Sequence, residues 1–124
     1  MRYLRIAAVF SLSILCLSLL ATAKQNKFGV ADSRLVNLTA PTMVGDVLLP
    51  AGNYKVTHIM EAENHIMVFK EVNAKNPAEA RVKCRLVPLA QKATRDEQTI
   101  VLNGSSQRVL HSLIFTGDSA QHVF

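Results

Sequence analysis

The side chains best equipped for chemistry in this chain lie close together. His58, Met60, His65 and Met67 put two imidazoles and two thioethers into one short stretch. Soft sulfur donors combined with imidazole suit Cu(I), so this set points to copper handling, provided the four side chains meet. Whether they meet depends on how the chain reverses between Met60 and His65. If Glu61-Ala62-Glu63-Asn64 forms a four-residue loop, Met60 lies opposite His65 and His58 opposite Met67. All four then share one face of the hairpin. If Ala62-Glu63-Asn64 forms a three-residue loop, the register moves by one and His58 and His65 face opposite ways. The residue types permit both loops, and a plainer role is open too, with the methionines filling core and the histidines at its margin.

A second cluster is cationic. Arg81, Lys83 and Arg85 alternate with Val82, Cys84 and Leu86, which places the three charges on one face of a strand, about 6.5–7 Å apart. Such a ridge could meet an acidic polysaccharide, lipid head groups, nucleic acid or another envelope protein. Equally, it serves as a solvated outer face that discourages edge pairing. No aromatic side chains interleave with these cations and the chain has no Trp, which argues against nucleic acid as the partner. Cys84 has the opposite parity, with Val82 and Leu86, and is expected as a small buried residue. Its only possible cysteine partner, Cys16, lies in the leader described below, so the fold must stand without a disulfide.

Nucleophilic catalysis finds no support. His111 and Ser112 are adjacent and, on a strand, project to opposite faces, so with Asp118 they do not form a triad. There is no Gly-x-Ser-x-Gly elbow and no glycine-rich phosphate loop. Glu61, Glu63 and Glu71 fall around a hairpin, where carboxylates are ordinarily solvated. The expectation is a protein that is not an enzyme.

These residues must be positioned by a small body. Met1–Arg5 carries Arg2 and Arg5, Ile6–Leu20 is uncharged and apolar, and Ala21-Thr22-Ala23 supplies small residues at a cleavage site. That order identifies residues 1–23 as a secretory signal peptide and makes the protein exported, periplasmic or extracellular. What remains, 24–124, is one domain. Removing the two leader arginines from 14 basic residues leaves 12 against 9 acidic ones, a mild net charge of +3. No later stretch approaches the roughly 18 apolar residues needed to cross a bilayer as a helix.

Within the body the hydrophobic pattern has period two. Strands are expected at 34–40, 43–49, 53–60, 65–72, 80–87, 99–102, 108–115 and 120–124, the last as an edge strand. Pro50-Ala51-Gly52-Asn53 and Asn103-Gly104 mark turns. This is the pattern of an all-β, antiparallel sandwich or small barrel of about seven or eight short strands. Helix evidence is confined to one possible turn from Asn76-Pro77 and a polar stretch, 90–98, open as short helix or loop.

Leu49-Pro50-Ala51-Gly52, followed by Tyr54 and the strand Ile66-Met67-Val68-Phe69, resembles a motif in small exported bacterial β-domain proteins of unknown function. The resemblance covers Val44 to Val72 and implies a compact exported β-domain; it carries no catalytic residues. Three functions follow as expectations. The first is a non-enzymatic binding or structural module working through Arg81, Lys83 and Arg85. The second is a copper handler using His58, Met60, His65 and Met67. The third is a small-ligand carrier with a barrel interior bounded by Tyr54, Phe69 and Phe115.

Overall fold

A computed structural model of the chain describes residues 29–124; the expected signal peptide lies outside the described residues. They form nine strands and no helix: β1 (Ser33–Leu38), β2 (Thr42–Val44), β3 (Val47–Leu49), β4 (Gly52–Glu61), β5 (Asn64–Glu71), β6 (Glu79–Pro88), β7 (Glu97–Leu102), β8 (Arg108–Ile114) and β9 (Ala120–Val123). Hydrogen bonding runs β1-β4-β5-β6-β9-β8-β2-β3, with β7 against β8.

The long strand β6 serves both halves of this path. From Glu79 to Cys84 it pairs with β5, and from Arg85 to Pro88 it pairs with β9. A twisted ribbon of this length cannot stay in one plane, and the change of partner at Cys84 and Arg85 folds the path into a sandwich-like arrangement. Val36, Leu38, Tyr54, Val56, Met67 and Phe69 from one half meet Val44, Leu49, Leu110, Leu113 and Phe115 from the other in a single core. Burial of this apolar surface, with no disulfide among the described residues, holds the domain together.

Several expectations are corrected. The path does not close, so the arrangement is not a barrel. The sheet is mixed rather than wholly antiparallel, because Met43 on β2 lies parallel to Val109 on β8. The single strand expected over 43–49 is a hairpin of β2 and β3, which adds a ninth strand to the count. Gly45 turns the chain there at φ 58°, a left-handed conformation in which a side chain would also crowd Val82. Its flanking apolar residues continue the alternation and hide the reversal. The final strand is interior, between β6 and β9's other neighbour β8, rather than an edge. The helical options at 76–80 and 90–98 are not taken; neither has an apolar face to bury.

Other turns follow their residue types. Tyr54 is fully buried, and its hydroxyl donates to the Pro50 carbonyl at 2.6 Å, tying the start of β4 to the preceding turn. At the β7–β8 hairpin, Asn103 Oδ1 accepts from the backbone N–H groups of Ser105 and Gln107. The side chain thereby organises a five-residue loop over 103–107.

Candidate metal centre

The β4–β5 hairpin reverses through Ala62-Glu63, with Ala62 at φ 53° and Glu61 opposite Asn64. The turn is shorter than a four-residue loop but gives the same register. Met60 lies opposite His65, and His58 opposite Met67. The three-residue alternative is therefore not adopted, and His58 and His65 face the same way. Their rings stack with centroids 5.1 Å apart and planes 13° from parallel, and His58 Nε2 lies 3.1 Å from His65 Nδ1.

The methionines do not complete that set in the same way. Met67 is 2% exposed and packs within the apolar core, while Met60 is 43% exposed near the end of the hairpin. Instead, two residues from other strands close on His58. Cys84 occupies β6 directly opposite His65. His122 arrives on β9, with its Nδ1 3.8 Å from Cys84 Sγ and its ring centroid 5.6 Å from that of His58. Ligand atoms of His58, Cys84 and His122 all lie within 4.8 Å of one another, and all three residues are buried. His65, half-buried, adds a further imidazole at the margin.

Burial sets the protonation of this group. It holds the His122 imidazole down to about 4, reinforced by the neighbouring His58 and His65. His58 is lowered as well, first by burial and then by His65. Burial pushes the Cys84 thiol up to about 11. At neutral pH the site therefore offers imidazole lone pairs and a protonated thiol, the ligand forms from which a metal displaces a single proton.

Cys84 and His122 are also spaced for shared coordination. With metal–sulfur and metal–nitrogen bonds of about 2.3 and 2.05 Å, a trigonal site separates sulfur from nitrogen by about 3.8 Å and a tetrahedral one by about 3.6 Å. The observed 3.8 Å falls in this range. Closing the rest of the triad from its 4.8 Å limit takes an inward shift of about 1 Å.

Asp118 lies against the far side of His122, completely buried, with Oδ2 3.9 Å from His122 Nε2. Its other oxygen, Oδ1, accepts from Arg34 at 2.7 Å. The Arg34 guanidinium lies over the Phe115 ring, which packs edge-on against the His122 imidazole.

The remaining sequence candidates are elsewhere. Arg81, Lys83 and Arg85 are all exposed, on the face of β6 opposite Cys84, and Arg81 forms an ion pair with Glu61. Tyr54, Phe69 and Phe115 fill the core instead of bounding a barrel cavity. His111 is exposed while Ser112 is buried, as their adjacency required.

Sequence reasoning found His58 and His65, took Cys84 first as a small core residue with a reactive or pairing thiol as the alternative, and gave His122 no role. Parity alone signalled that Cys84 points inward. What brings it to His122 is the β6–β9 pairing, for which the local sequence carries no marker. Comparison with protein-family models, with curated proteins and with solved structures finds no match to this chain.

Proposed function

We propose that this protein is an exported, non-enzymatic β-domain that binds one Cu(I) ion between β4, β6 and β9. His58, Cys84 and His122 are its ligands, and His65 supplies a further nitrogen. The supporting observation is the convergence of two imidazoles and a thiol within 4.8 Å in a buried site built from three strands distant in sequence.

Charge favours a monovalent ion. A thiolate with Cu(I) sums to zero, whereas Zn(II) with the same ligands leaves a net positive charge in an apolar interior. Asp118 does not offset that charge, because Arg34 already neutralises it. Softness points the same way, since thiolate and imidazole together favour Cu(I) over hard cations. Export is supported by the charged start, apolar run and small-residue site of residues 1–23.

The test is an anaerobic Cu(I) titration of the processed protein against a chromogenic chelator. One equivalent is expected per chain, with Cys84→Ser weakening binding by more than about 100-fold, beyond the effect of losing an outer partner. Failure to compete for Cu(I), or unchanged affinity in Cys84→Ser, overturns the proposal.

A further inference from the structure

We infer that Asp118 is a positioning residue for this centre, holding His122 in the tautomer whose Nδ1 lone pair faces Cys84. The inference builds on the Cu(I) reading, but its structural content concerns the metal-free protein. Asp118 is 0% exposed, and its Oδ2 has no hydrogen-bond partner among the described residues. An orphaned carboxylate oxygen at such a site is costly, so a nearby donor is strongly favoured. His122 Nε2, at 3.9 Å, is positioned to serve; a small rotation brings the pair to the roughly 3 Å of a hydrogen bond.

Once Nε2 carries the proton and directs it at Asp118, a neutral imidazole has its lone pair on Nδ1. Nδ1 is the atom 3.8 Å from Cys84 Sγ. The thiol hydrogen then points at Nδ1, in the space a metal would enter. The carboxylate–histidine–metal arrangement is a recurrent way of fixing both ring orientation and tautomer. Here Arg34 fixes the carboxylate in turn, through its bond to Oδ1 and a further bond to the Thr116 carbonyl. Asp118 lies two residues before β9, is buried like Ala120 and His122, and follows Gly117, whose φ of 86° allows the turn that leads into the strand.

The geometry makes Asp118→Asn informative. Arg34 can only donate, so it retains the amide oxygen and leaves the amide NH2 facing His122 Nε2. A donor at that position makes Nε2 the acceptor and moves the ring proton to Nδ1, where it blocks coordination.

The experiment records histidine side-chain 15N correlation spectra of metal-free wild type and Asp118→Asn, with Cu(I) competition on the same samples. In wild type, His122 should show a bare Nδ1 and a protonated Nε2. In Asp118→Asn the pattern should invert, with Cu(I) affinity reduced about 10–100-fold. A wild-type spectrum with the proton on Nδ1 overturns the inference without any variant, whatever the Cu(I) affinity. So does a folded Asp118→Asn with the wild-type tautomer or with affinity within about twofold of wild type. A bare Nδ1 in wild type that binds no Cu(I) leaves the Asp118–His122 orientation supported and overturns the metal proposal alone.

Discussion

Cys84 and His122, 38 residues apart in the chain, meet with Sγ 3.8 Å from Nδ1 because β6 exchanges β5 for β9 as its pairing partner immediately after Cys84. The residue at the change of partner thus faces the hairpin that carries His58 and His65 while adjoining the strand that carries His122. A buried thiol and two buried imidazoles have little value as packing, since apolar residues of similar size would fill the same volume without polar atoms to satisfy.

Met67 and His58, opposite each other on β5 and β4, make opposite demands on mutagenesis. Met67→Leu preserves volume in the core, so Cu(I) affinity should stay within about threefold and stability within about 1.5 kcal/mol. His58→Ala should lose Cu(I) binding by more than about 100-fold, as a lost ligand does. Chelator competition, with urea unfolding as the stability control, separates them. A large affinity loss in Met67→Leu would return the thioether to the ligand set.

Acid should destabilise the metal-free protein. His122 titrates at about 4 in the fold against an ordinary value of 6.5, so between those values the unfolded chain binds a proton that the folded chain refuses. Stability from this group is complete above about pH 6.5 and lost as pH falls to about 4, in all about 3 kcal/mol. His58, also lowered, acts in the same direction. Urea midpoints from pH 7.5 to 4 check this. His122→Gln should flatten the profile, and a wild type that gains stability on acidification would contradict it.

Tyr54→Phe removes the hydroxyl that donates to the Pro50 carbonyl at 2.6 Å. The ring stays in place, so the loss is that of one hydrogen bond and its stranded acceptor, about 1–2 kcal/mol. Chemical denaturation should show this with Cu(I) stoichiometry unchanged.

The cationic ridge should be independent of the centre. Changing Arg81, Lys83 and Arg85 together to Gln breaks an ion pair whose side chains are 49% and 55% exposed, and such pairs contribute at most about 1 kcal/mol. Cu(I) affinity should not change beyond about twofold, because the three side chains lie on the opposite face of β6.

Period-two alternation made the strands legible, and turn chemistry at Pro50–Asn53 and Asn103–Gly104 located two of the reversals. Gly45 was harder, because a two-residue turn flanked by Val44 and Val47 leaves the apolar pattern almost unbroken. The hairpin histidines were legible for a related reason: their pairing is local, and loop length leaves only two registers to choose between. His122 and Asp118 were not, because their roles depend on β9 lying between β6 and β8. Pairing between strands distant in sequence is set by the closure of the whole core, and no residue near position 122 encodes it.

X-ray absorption at the copper edge of the Cu(I)-loaded protein tests the centre most directly. One sulfur and two or three imidazole nitrogens around a single copper per chain is the expected result, with the sulfur absent in any copper retained by Cys84→Ser. A copper bound only by nitrogen and oxygen, or by thioether sulfur that persists in Cys84→Ser, would contradict it.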